Sequence, residues 1–158
     1  MNFYRIKRCT FLFTLLCNVF VVSYAQTNFY DTSLDLLQDP SWLVGASLQS
    51  IITQFGSPMA VYTVRGQESW QDDVVFSYEG IDLYWYQNRV WQIAVPQGYG
   101  IKQGDSREIV LTVLGEPLIQ QDTYLIFRLP SRGWPLRLKV QLTEEHKVNG
   151  LFVYRPDY

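Results

Sequence analysis

Apolar positions along the chain fall into two kinds of segment that succeed one another twice. Ile51, Ile52 and Phe55 recur at i, i+1 and i+4, and Val110, Leu111 and Leu114 do the same 59 residues later. Each set makes one apolar stripe on a short helix. Runs rich in β-branched and aromatic residues follow each helix. After the first come Met59–Val64, Val74–Tyr78 and then Ile81–Tyr86 with Val90–Val95, a hairpin around Gln87-Asn88-Arg89. After the second come Leu118–Thr123 leading into Tyr124–Leu129, the alternating run Leu136–Leu142, and Val148–Tyr154. Strand runs after a helix, without βαβ alternation, predict an α+β fold. The expected architecture is two tandem units, each a short helix followed by about four antiparallel strands.

The ends of the helices carry the same signals. Gly45-Ala46-Ser47 to Phe55-Gly56-Ser57-Pro58 and Gly104-Asp105-Ser106 to Leu114-Gly115-Glu116-Pro117 align without a gap. Both reduce to G-x-S-x-x-x-(I/V)-(I/L)-x-x-(F/L)-G-x-P, and self-similarity at this period indicates two copies of one supersecondary unit. Ser47 and Ser106 stand where an N-cap hydroxyl accepts a bond from the first turn. Asp105 and Glu108 add negative charge where the helix dipole favours it. Gly56 and Gly115 supply a helix-ending residue, and a proline two positions on forbids continuation. Nothing in the motif is a nucleophile with a base beside it, so its explanation is structural.

The N-terminus changes the picture by removing itself from the fold. Arg5, Lys7 and Arg8 precede the apolar stretch Cys9 to Val22, and Ser23-Tyr24-Ala25 has the small-x-small pattern of a signal-peptidase site. The expected organisation is a signal peptide at 1–25, a lead segment at 26–41, a first repeat at 42–99 and a second at 100–158. An uncleaved anchor and a lipoprotein modified at Cys17 are the alternatives, and either would attach the chain to a membrane. Both cysteines lie in the signal, so the mature chain has no disulfide and no thiol chemistry. Its periplasmic or secreted fold must rest on its own core, which its length allows.

Loss of three basic residues leaves 10 basic against 15 acidic, a formal charge of −5 that argues against nucleic acid. The charge is uneven: residues 26–100 carry two basic and eight acidic side chains, and residues 101–158 carry eight and seven. Such asymmetry orients a partner more than it adds affinity.

The two motifs and their matching strands resemble the beta-lactamase-inhibitory-protein-like fold, whose founding family holds two tandem copies. Outer-membrane lipoproteins of the SmpA/OmlA (BamE) type carry one. The resemblance covers about Trp42 to Tyr154. It implies a sheet with helices on one face and an open face that binds another protein, with no catalysis and no cofactor. The inhibitors carry disulfides in their repeats and insert loops into an enzyme; neither has a counterpart here.

Candidate partner-binding residues follow from patterning. Ile81–Tyr86 is apolar or aromatic on both faces, with Leu83 and Trp85 pointing one way and Tyr84 and Tyr86 the other. Simple alternation puts Val90 and Ala94 on one face of the next strand and Trp91, Ile93 and Val95 on the other. A sheet with one solvated face alternates apolar with polar, so this hairpin predicts aromatics on the face away from the helices, of the types that dominate protein interfaces. Trp70 and Trp134 sit among polar and turn residues, with Arg132 and Arg137 beside Trp134. The candidate set is Trp70, Tyr84, Tyr86, Trp91, Trp134 and Arg132.

Chemistry has fewer candidates. His146 is the single histidine, too few with no mature cysteine for a zinc site. No nucleophile elbow, calcium loop or phosphate loop is present. Glu144, Glu145 and His146 in one turn are the remaining acid–base candidates, and a solvated turn explains them. The leading expectation is a non-catalytic, inhibitor-like protein-binding module of the bacterial envelope. The alternatives are a structural or assembly factor of an outer-membrane-associated complex and a homodimer that buries the aromatic face.

Overall fold

Ser47 and Ser106 open the two helices as their spacing predicts. In a computed structural model that describes residues 39–66 and 72–158, these are α1 (Leu48–Phe55) and α2 (Arg107–Leu114). Ser47 Oγ accepts from Ser50 N at 3.2 Å and Ser106 Oγ from Ile109 N at 3.5 Å. At the other end, Gly56 N donates to Ile52 O at 2.9 Å and Gly115 N to Leu111 O at 3.0 Å. The expected signal peptide and nearly all of the lead segment lie outside the described residues. Asp39 caps a 3-10 turn over Pro40–Leu43. No described helix is long and apolar enough to cross a membrane.

Each helix start is tied to a strand far along the chain. Gly45 N donates to Val90 O at 2.7 Å and Val90 N to Ala46 O at 3.0 Å. Gly104 N donates to Val148 O at 2.8 Å and Val148 N to Asp105 O at 2.8 Å. Both glycines sit at positive φ, +92° and +90°, where a Cβ is disfavoured.

The strands are β1 (Ala60–Val64), β2 (Asp73–Tyr78), β3 (Ile81–Tyr86), β4 (Arg89–Val95), β5 (Gln97–Gly98), β6 (Ile101–Lys102), β7 (Ile119–Gln120), β8 (Tyr124–Leu129), β9 (Leu136–Leu142) and β10 (Val148–Tyr154). Eight form one antiparallel sheet in the order β1-β2-β3-β4-β10-β9-β8-β7, and β5 and β6 make a small hairpin. The fold is α+β, with two helices and a large antiparallel sheet. The β5–β6 hairpin has no signal in the apolar pattern, and β7 is shorter than the run Leu118–Thr123 suggests.

One face of the sheet carries the core. Ile51 of α1 and Val110 of α2 share a buried cluster with Leu83, Ile93, Val153 and Leu138, which lie in one cross-strand row. Each such side chain contributes about 1.5–3 kcal/mol when fully buried. Phe55 closes the cluster near α1, its ring 5.6 Å from Tyr78 and 6.3 Å from Trp42.

Simple alternation fails on β4. Opposite β4, Tyr84 pairs with Gln92 and Trp85 with Val90, leaving Trp91 as the extra residue of a bulge. The bulge resets the alternation, so Val90 is buried with Ile93 and Val95, and not on the face of Ala94. Strand β10 does the same at Asn149, which places Val148 with Leu151 and Val153.

Candidate protein-binding surface

The face opposite the helices is built from the residues between the core positions. Two cross-strand rows cross it. One runs Ser77, Asp82, Ala94, Phe152, Lys139, Ile126. The other runs Tyr62, Val75, Tyr84, Gln92, Tyr154, Arg137, with Arg128 beyond. Directly paired antiparallel residues share a face, so both rows follow from register alone. Val75 and Ile126 are buried here, outside the helix-side cluster. The helices lie on the other face, where Ile51 and Val110 join the core cluster.

The electrostatics of this face divide at its centre. On the β1–β3 side, Tyr62 Oη donates to Asp82 Oδ2 at 3.0 Å and Trp91 Nε1 to Asp73 Oδ1 at 3.0 Å. Burial, then the bond to Asp82 and its charge, push the Tyr62 phenol up to about 12. Burial and the neighbouring Asp72 charge raise Asp73, against the lowering bond from Trp91. On the β8–β9 side, Arg128 stands directly across from Arg137, and Lys139 Nζ lies 5.0 Å from the Tyr124 ring centroid. Among the described residues none of these three cations pairs with a carboxylate. Like charges directly opposite each other in a sheet are unfavourable by themselves.

Of the six residues singled out in the sequence, Tyr84 and Trp91 lie on this face, both half-buried. Tyr86 is 48% exposed at the end of β3, its ring 5.0 Å from that of Tyr158. Trp134 lies in the β8–β9 connection and lays its ring against Gly45. Arg155 lies between Trp134 and Tyr158, its guanidinium 4.7 Å from the Trp134 ring and 4.3 Å from that of Tyr158, and it pairs with Asp157 at 2.7 Å. A run of contacts through Arg155 and Tyr158 of the C-terminal tail therefore links Trp134 to Tyr86. Arg132 is tied to Asp39 at 2.9 Å. Trp70 lies outside the described residues, in the β1–β2 connection.

Asp39 joins three segments. It accepts from Ser41 N, Tyr99 Oη and Arg132 Nη2 at 3.0, 3.0 and 2.9 Å. Burial pushes its carboxyl up, but these hydrogen bonds together outweigh it and hold the group below its ordinary value. The sequence missed Tyr99 and Arg155: neither lies in an alternating run, and Tyr99 takes φ +56° in the β5–β6 turn.

The turn with Glu144, Glu145 and His146 is exposed, with His146 at φ +57° and its N–H bonded to Thr143 O at 3.0 Å. No group of three His, Cys, Asp or Glu is gathered among the described residues. A shallow cleft on the helix side, lined by Leu48, Val74, Phe76, Trp85 and Tyr86, brings together no acid–base pair.

No family model matches the sequence, and no curated protein does. Two solved structures are similar in part. A DUF4309 family protein, YjgB, from Bacillus subtilis aligns over 70% of this chain and 78% of its own, at 10% identity and a TM-score of 0.45. An extracellular protein containing an SCP domain from Bacillus anthracis aligns over 76% of this chain, at 11% identity and a TM-score of 0.46; the chain spans 48% of that protein's length.

Proposed function

We propose that this chain is an exported, non-catalytic protein-binding module of the bacterial cell envelope, acting through the sheet face opposite the helices. The observation that carries this reading is the face itself. It carries Tyr62, exposed, and the half-buried Tyr84, Trp91, Phe152 and Tyr154 between charged groups, on the side of the sheet away from the helices. Such aromatics, partly open to solvent, give large contact area at low entropic cost and are enriched where proteins meet. Export rests on the basic, apolar and small-x-small succession ending at Ala25.

In this reading the halves are two copies of one helix-plus-meander unit, joined edge to edge at β4 and β10. Paired caps, paired glycines at positive φ, paired ties to Val90 and Val148 and paired bulges support it. Two copies so joined make a sheet twice as wide as either, with the helices on one side and the binding face on the other. That is the arrangement implied by the resemblance to beta-lactamase-inhibitory-protein-like modules.

The test is affinity capture from the envelope fraction with the exported chain and a Tyr84→Ala/Tyr154→Ala variant shown to be folded by circular dichroism. A partner held by the parent and lost by the variant supports the reading. A partner held equally by both places the site elsewhere and overturns it.

A further inference from the structure

We infer that the open sheet face binds a second copy of this chain, face to face, about a twofold axis along the β4–β10 seam. The inference rests on the face being a protein interface and names its occupant. Its basis is the register of the two rows. Asp82 on β3 and Lys139 on β9 stand in the same row, each one strand away from the central pair Ala94 and Phe152. A twofold axis parallel to the strands exchanges the two sides of the seam and keeps each row in place. It therefore sets Asp82 of one copy over Lys139 of the other, twice. It also sets Phe152 over Ala94, a large side chain over a small one, twice.

The second row obeys the same operation. Tyr84 falls over Arg137, an aromatic ring facing a guanidinium, and Gln92 falls over Tyr154. An axis across the strands would instead lay acidic side on acidic side, so the charge pattern selects one orientation. Isologous contacts of this kind are self-complementary by symmetry, and sheets pack face to face at about 10 Å. Eight strands about 4.8 Å apart and about six residues long offer on the order of 700 Å² of face, close to the roughly 800 Å² per partner of a standard interface. The same operation sets Arg128 over Val75, so the Arg128–Arg137 pair meets the Val75–Tyr84 pair across the interface.

The test is sedimentation velocity on the exported chain over a concentration series, with Asp82→Lys and Lys139→Asp variants checked for fold by circular dichroism. The parent is expected to dimerise, and each variant to dissociate at least about tenfold more readily, since each sets like charges at both contacts. An equimolar mixture of the two variants restores opposite charges at both contacts and is expected to dimerise like the parent. A parent that stays monomeric, or single variants that dimerise as well as it does, overturns the inference. So does a mixture no tighter than the variants alone. A monomeric parent that still captures a partner through Tyr84 and Tyr154 overturns self-association alone and leaves the binding-module reading standing.

Discussion

Gly45 and Gly104 hold the same conformation at the same place before a helix, with φ of +92° and +90° and matching ties to Val90 and Val148. Their surroundings differ. A Cβ on Gly45 would overlap Trp134 Cζ2 and lie 2.7 Å from Cη2, whereas nothing lies within 4 Å of one on Gly104. The backbone explains why glycine is present twice; packing explains why only one of the two is also a contact. Around Gly45 the β8–β9 connection folds back, Arg155 covers Trp134, and Asp39 holds Arg132. Around Gly104 there is open surface. The same local geometry is thus closed at one end of the molecule and left bare at the other.

Substitution at the two glycines sharpens this contrast most. Gly45→Ala is expected to destabilise by about 3 kcal/mol, from strain at positive φ plus displacement of the indole. Gly104→Ala carries the backbone strain alone, about 1 kcal/mol. Urea midpoints at constant slope measure both, and equal losses would break the comparison.

Removing the indole isolates the packing term. Trp134→Ala is expected to cost about 2 kcal/mol, below the range for fully buried aromatics because the ring is half-buried. In its background the Gly45→Ala penalty should fall to near that of Gly104→Ala. A double-mutant cycle reads the difference, and additivity within about 0.5 kcal/mol would contradict direct contact.

The caps test the likeness of the two halves. Ser47→Ala and Ser106→Ala are each expected to cost about 1 kcal/mol. The shorter bond at Ser47, 3.2 against 3.5 Å, sets the order. A large loss at one site with none at the other would show that one helix is held by packing and not by its cap.

The smallest effect concerns Asp39. Its carboxyl is held below its ordinary value, so the ionised form favours the folded chain. That contribution is fully present above the ordinary carboxylate value and is lost as pH falls through the lower folded-state value. Asp39→Asn is therefore expected to lose less stability than the parent on acidification below about pH 4. Parallel pH profiles would show that the carboxylate adds nothing to the closed end.

What could be read from the sequence was what is local. The serine caps, terminating glycines and most strand runs are encoded within a few residues, and each stands where its pattern places it. The bulges at Trp91 and Asn149 could not be read, because one extra residue leaves the composition unchanged and alters only what comes after it. That is why simple alternation groups Val90 with Ala94, whereas the chain buries it with Ile93 and Val95. Trp134 looked like a free loop tryptophan because Gly45, 89 positions away, gives no sign that a ring will lie on it. Tyr84 was legible as an outward aromatic. Its alignment with Arg137 depends on the register of three strand pairs, which no segment carries alone.

The most direct measurement of the central claim is photocrosslinking in the intact envelope, with a benzophenone side chain placed at Tyr154 on the open face or at Gln54 on exposed α1. The expected result is a protein adduct, with a partner or a second copy, from position 154 and none from position 54. An adduct from position 54 alone would contradict the assignment of the binding face.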